Sequence, residues 1–198
     1  MMKFKIFERF PFSYDMETLN RALNLRDNEA MLEILEPIYE MVVKTAKPKA
    51  IYFKAQIIDK TEIFVRIDDK IFESQLLRGY VDRGDVVFPY IVTVGRELDD
   101  YAKTLTDSME LFMIDEVMNL LVNTGKVFVA DAVKKETNWS EVQDYVPGNG
   151  EEWSTAEQIR LFEMFEGETD KIGVTLGESA FVLPGRSTIG ILALKRSI

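Results

Sequence analysis

Apolar positions follow two rhythms along this chain, and the switches between them set the expected elements. Lys3-Phe4-Lys5-Ile6-Phe7-Glu8 alternates with a period of two and predicts a half-buried strand. Pro11 and Ser13 end it, and Asp15 is placed to cap a short helix over about residues 16–25. After Asn28 the spacing becomes three and four. Met31, Leu32, Leu35, Ile38, Tyr39, Val42 and Val43 share one helical face, which Pro48 closes. Two apolar runs, 51–58 and 63–67, flank the polar Asp59-Lys60-Thr61-Glu62 and predict a β-hairpin. Ser74 opens a short helix to Tyr80. Residues 86–94 form an apolar run containing Pro89. Proline has no N–H for the ladder, so the expectation there is an edge strand or a bulge.

Helical spacing resumes from Leu98 to about Ala132, with a break near Thr106-Asp107-Ser108. Leu111, Ile114, Met118, Leu121, Val122, Val129 and Val133 make its apolar stripe. Residues 137–150 read as a polar loop. Ser154 or Thr155 caps a helix to about Phe165, with Ile159, Phe162, Met164 and Phe165 turned inward. Three short strands are expected near 172–176, 180–183 and 188–194. Adjacent strands at both ends favour antiparallel pairing. The expected fold is therefore α+β, a single domain over 1–198 with a twisted, mainly antiparallel sheet and flanking helices.

Composition narrows the chemistry. The 198 residues include 24 Lys plus Arg, 34 Asp plus Glu, and neither His nor Cys, for a formal net charge of -10. Without Cys there is no disulfide, thiol nucleophile, thiolate zinc site or iron–sulfur ligation. Without His this chain holds no Ser-His-Asp triad and supplies no axial imidazole to a haem or corrinoid. The acidic excess spreads over all of the chain beyond residue 50, and no basic stripe exists, so nucleic acid is not an expected partner. There is no basic-then-apolar leader and no run of about 18 apolar residues. The expectation is a cytoplasmic protein with no membrane segment.

Generic motifs are few. Gly148-Asn149-Gly150 is followed by Trp153 where a dinucleotide loop would carry its third glycine. The pairs Asp68-Asp69, Asp99-Asp100, Asp115-Glu116 and Glu151-Glu152 are sequence neighbours, whose side chains point apart on a strand or helix. Two regions stand out by packing turn formers beside polar groups. They are Asp144-Tyr145-Val146-Pro147-Gly148-Asn149-Gly150 and the stretch from Ile172 to Gly190. Such places offer backbone N–H and C=O groups to ligands, or are simply tight turns.

The order of these features resembles a known family. It runs from Pro147-Gly148 to Trp153 leading a helix with Gln158. Ile172-Gly173-Val174-x-Leu176-x-Glu178-Ser179 follows, and then Pro184-x-x-Ser187-x-x-Gly190. Upstream, Ser74 with Leu77, Thr93-Val94-Gly95 and Glu97-Leu98-Asp99 extend the likeness over about 72–194. The pattern resembles the activation domain of cobalamin-dependent methionine synthase, and more closely its short stand-alone relatives. The resemblance implies S-adenosylmethionine as ligand and a role in reductive remethylation of a corrinoid. Cobalamin would be held by a partner, a corrinoid-binding protein or methyltransferase module, and the electron would come from a redox protein. On that reading the chain is an accessory part of a methyltransferase system.

The expected ligand residues are Tyr145, Pro147, Gly148, Asn149 and Gly150 in the loop, with Glu178, Ser179, Arg186 and Ser187 in the C-terminal motifs. Gly148 and Gly150 would let adenosine approach the backbone. Tyr145 and Trp153 would stack on adenine or serve the core. Glu178 would meet the ligand's cationic groups or pair with Arg186 across a turn. The pattern also departs from the family. Asp144 stands where the resemblance expects Arg, Asn149 where it expects Tyr, Gly177 where it expects Thr, and Ile191 and Leu192 where it expects aromatics. An Arg in that loop would pair with the ligand's carboxylate, and Asp144 reverses the charge. Two alternatives stay open: a non-catalytic interaction module that has lost the ligand, and an unrelated enzyme working through carboxylates.

Overall fold

The computed structural model describes residues 3–148 and 152–196. After β1 (Lys5–Phe7) come α1 (Met16–Ala22) and α2 (Glu29–Thr45), capped by the side chains of Asp15 and Asn28. Next are β2 (Lys49–Tyr52), β3 (Ala55–Lys60), β4 (Val65–Ile67), β5 (Lys70–Phe72), α3 (Gln75–Tyr80) and β6 (Val86–Thr93). Then α4 (Arg96–Ala102) and α5 (Ser108–Thr137) follow, with Asp107 capping the latter at the break expected there. The order ends with β7 (Val142–Tyr145), α6 (Gln158–Glu163), β8 (Thr175–Leu176), β9 (Val182–Leu183) and β10 (Ser187–Leu194). Short 3-10 turns cover Thr155–Glu157 and Glu168–Ile172. The architecture is α+β with an antiparallel sheet, as the apolar rhythm predicts. No helix among the described residues is long and apolar enough to cross a membrane.

Strand β6 is the middle of the main sheet. One edge pairs with β2 and then β3, and the other pairs with β10 along its length. Beyond these, β1 adds to β2, β7 adds to β10, and β4 and β5 extend from β3. Strand β7 lies in the stretch expected to be loop. Its four residues are too few and too polar to show a period, and pairing with β10 fixes them.

Pro89 therefore sits in a central strand, contrary to the edge or bulge expected of it. The register across it is unbroken, with Tyr52 facing Tyr90 and Ala55 facing Val87. Phe53 lies opposite and donates its N–H to the Pro89 carbonyl at 3.2 Å. Pro89 has no N–H to return, so the ladder lapses at that point and β2 is separated from β3. In an antiparallel ladder a residue's N–H and C=O point to the same neighbour, so pairing with β10 is untouched.

Alternation along β6 feeds two cores. Phe88, Tyr90, Val92 and Val94 join Tyr52, Leu192 and residues of α1, α2 and α5 on one face. Val87 and Ile91 join Ile51, Phe53, Ile189 and Ile191 under α3 and α6 on the other. Each large aliphatic or aromatic side chain so buried contributes about 1.5–3 kcal/mol. The predicted helical stripes hold with exceptions at their margins: Val43 and Leu111 are exposed. In α6 and the turn that follows it the inward residues are Leu161, Met164 and Phe165, while Ile159 is exposed. The 3-10 turn before the helix has three residues per turn, which shifts the phase that an unbroken α-helix would give.

Helix α5 packs on the first face through Gly125. A Cβ there would lie 2.4 Å from Val92 Cγ1 and 2.6 Å from Phe10 Cζ. Gly→Ala inside a helix ordinarily stabilises by up to about 1 kcal/mol. Here the sign reverses: Gly125→Ala is expected to destabilise by about 1–3 kcal/mol through overpacking. A lowered urea midpoint at unchanged slope is the expected result, and a raised midpoint contradicts the packing described.

Candidate functional site

Two of the motif residues, Gln158 and Ser187, meet on the α6 side of the sheet. There a cavity of about 300 Å³ lies between Gln158 of α6, the β8–β9 hairpin and the first half of β10. Phe181, Val182 and Leu183 form one wall, and Ser187, Thr188 and Ile189 the other. The volume is at the lower end of the range for small-molecule sites. Ser187 is fixed by a 2.9 Å hydrogen bond between its Oγ and Thr93 Oγ1, and Thr93 is fully buried at the end of β6.

The Pro-Gly loop backs onto this cavity through Gln158. The Gln158 Nε2 donates to the Pro147 carbonyl at 3.3 Å. Gly148 takes φ of +90° and donates its N–H to the Trp153 carbonyl at 2.8 Å. A Cβ at Gly148 would lie 2.6 Å from Thr155 Oγ1. This glycine thus closes the loop onto the start of α6, and its N–H is spent there rather than offered to a ligand. Asn149 and Gly150 lie outside the described residues.

Three buried side-chain polar atoms have no hydrogen-bond partner among the described residues: Trp153 Nε1, Glu157 Oε2 and Gln158 Oε1. All fall within one short segment after the Pro-Gly loop. An unmet buried polar atom costs about 1–3 kcal/mol, so such a cluster marks strain that a fold tolerates for a reason. Glu157 binds Arg160 at 2.7 Å through its other oxygen, and burial pushes its carboxyl above the usual range. Gln158 shares the inward face of α6 with Leu161, at i+3. A polar residue on an apolar face was the available sequence signal for it. The hairpin wall gave less: Phe181 is an exposed aromatic between turn formers, a pattern with no period.

Other expected site residues are placed elsewhere. Tyr145 and Trp153 are core residues: Tyr145 stacks obliquely near Tyr80, and Trp153 meets Phe72 edge to face. Neither is among the residues that line the cavity. Burial raises the Tyr145 hydroxyl to about 12. Glu178 and Ser179 are exposed at the turn joining β8 and β9. Arg186 pairs with Asp115 of α5, not with Glu178. Gly190 faces Tyr90 across the sheet, where a Cβ would lie 2.9 Å from the Tyr90 hydroxyl, so its role is to admit that ring.

Asp144 does not face the cavity. On β7 it lies opposite Leu192, on the α5 side of the sheet. Its carboxylate accepts from the Tyr90 hydroxyl at 2.7 Å and pairs with Lys126 Nζ at 2.6 Å. Burial first, and the Asp144 charge second, push the Tyr90 hydroxyl well above the ordinary tyrosine value, so it remains a donor. The charge reversal in the loop is thus neutralised within the protein. Among the described residues no three carboxylates converge where a metal ion could be held.

No family model matches the sequence, and no curated protein matches it. The fold does have a solved counterpart, described as the crystal structure of the MetH reactivation domain bound to AdoHcy. The two share a TM-score of 0.69 at 14% sequence identity, over 100% of this chain and 81% of that one. The sequence resemblance to an activation domain and the fold thus point to the same architecture.

The raised carboxyl of Glu157 sets a pH dependence. Burial disfavours its charged form, so the penalty is absent below the unfolded value near 4.3 and complete above the folded one. Its contribution to stability therefore falls as pH rises through that window. Glu157→Gln removes the titration, and its stability relative to the wild type is expected to rise from about pH 4 to pH 7. Denaturation curves across that range check this, and a difference independent of pH contradicts it.

Proposed function

We propose that this chain binds S-adenosylmethionine in the cavity between α6 and the β9–β10 segment, as a stand-alone relative of the methionine synthase activation domain. It would present the methyl donor to a corrinoid held by a partner, a corrinoid-binding protein or methyltransferase module. One observation carries the reading. The buried Gln158 Oε1, which has no partner among the described residues, belongs to a side chain that lines the cavity with Ser187 and bonds the Pro-Gly loop at Pro147. The fold's likeness to an AdoHcy-bound reactivation domain supports it.

Each residue has a distinct task in this reading. Pro147 holds Gln158 in place, and Ser187 and Gln158 supply polar contacts inside apolar walls. Phe181 and Leu183 cover the ligand. Glu178 and Ser179, on the exposed turn of the same hairpin, lie toward solvent for the cationic end. Tyr145 and Gly148 shape the loop from behind, and Arg186 anchors the start of β10 through Asp115. S-adenosylmethionine held there would supply a methyl group activated by its sulfonium for a corrinoid on the partner, and would itself leave as the thioether S-adenosylhomocysteine. The protein's contribution is to hold the donor in one orientation, which removes part of the entropic cost of transfer. The net charge of -10 favours approach of a cationic donor.

A second reading has one observation in its favour. None of the described residues that line the cavity is basic, so the ligand's carboxylate meets no counter-charge among them. On this reading the chain is a non-catalytic interaction module for a corrinoid protein or methyltransferase. It retains the partner and has lost the ligand.

Calorimetric titration separates the two. Saturable heat with S-adenosylmethionine at one site per chain supports the first reading, and no heat at millimolar ligand leaves the second. Phe181 is 57% exposed, so Phe181→Ala is expected to leave stability within about 0.5 kcal/mol. The same change is expected to weaken the ligand by about tenfold through lost aromatic cover. Unchanged affinity contradicts the assigned cavity.

A further inference from the structure

The carboxamide of Gln158 is held one way round. Its Nε2 donates to the Pro147 carbonyl at 3.3 Å, and turning the group over would set two carbonyl oxygens against each other. Oε1 is thus the end left over. It belongs to a side chain more than nine-tenths buried that lines the cavity, and it has no hydrogen-bond partner among the described residues. The remaining lining residues are Phe181, Val182, Leu183, Gly185, Thr188 and Ile189, with the hydroxyl of Ser187. Among the described residues, none that lines the cavity is acidic or basic.

A neutral acceptor among apolar walls selects a neutral group carrying an N–H. An ammonium or sulfonium would lose its water there without gaining a counter-charge. The flat, uncharged part of a nucleoside meets those terms. We infer that Gln158 determines base specificity at this site, with Oε1 accepting from the exocyclic amino group of an aminopurine. This rests on the function proposed above, in which that base is adenine. The charged amino-acid end of the ligand is then left at the solvent-facing mouth. The oxygen itself is covered, so contact requires the cavity rim to give slightly. Phe181 and Leu183, 57% and 43% exposed, are the lining side chains with little packing to lose.

The test compares S-adenosylhomocysteine with S-inosylhomocysteine, in which an oxo group replaces the amino group and would set carbonyl against carbonyl. Titration of the wild-type chain is expected to show at least about tenfold tighter binding of the adenosyl compound. In Gln158→Met, of similar shape but without the amide, the adenosyl compound binds more weakly and the two ligands come to within about twofold of each other. Gln158→Asn, which keeps the amide but draws it back by one methylene, serves where the Met variant fails to fold and is expected to narrow the preference likewise. Equal binding of both ligands by the wild type overturns this inference and leaves the proposed function standing. A preference that persists in the variants does the same. If neither ligand binds the wild type, both the inference and the proposed function fall.

Discussion

Strand β6 is covered on both faces, and the rest of the chain is arranged to keep it so. From Val87 to Thr93 every residue is buried, and successive side chains enter opposite cores. A strand in this position cannot leave backbone groups unmet, because water does not reach them. Pro89 removes one donor from the middle of it. The consequence is confined to a single lapse opposite Phe53, because the missing N–H points to β2 and β3, while β10 holds the other edge in full register. The long continuous pairing with β10 thus fixes the C-terminal strand, and with it Ser187 and the cavity wall.

The two faces of the sheet divide the polar work. On the α5 side, Tyr90, Asp144 and Lys126 form a closed chain of donors and acceptors. On the α6 side, among the described residues, Gln158 and Glu157 are half satisfied and the Trp153 indole N–H has no acceptor. Side-chain alternation along β7 is what separates these. Asp144 and Tyr145 are neighbours in sequence and point to opposite faces. A charge that looks hostile to an anionic ligand when placed on a loop is harmless when strand pairing turns it toward Lys126.

Much of the fold was legible in the chain. Period-two and period-three-to-four spacing located the helices, caps at Asp15, Asn28 and Ser74, the break at which Asp107 caps α5, and most strands. What escaped had no periodic signal. Strand β7 is short and polar, and its neighbour β10 fixes it. Pro89 obeyed proline's local rule, but a ladder bond points one way only, so one edge of a central strand can lose a donor without losing the strand. The cavity was legible in part. Ser187 and the Pro-Gly loop were readable from motif order, whereas Tyr145 and Trp153 were placed by packing alone. Gln158 entered only through motif order, as part of the helix led by Trp153, and its place gains meaning when the Pro147 carbonyl is seen to hold one end of its amide.

The central claim is that the cavity bounded by α6, the β8–β9 hairpin and β10 is where this chain takes its ligand. Hydrogen exchange with and without S-adenosylmethionine tests it most directly. The account predicts slowed exchange in peptides covering residues 153–158 and 181–189, with the sheet edge at β1 unchanged. Slowing confined to another surface, such as the groove lined by Met16, Leu32 and Glu36 between α1 and α2, would contradict it.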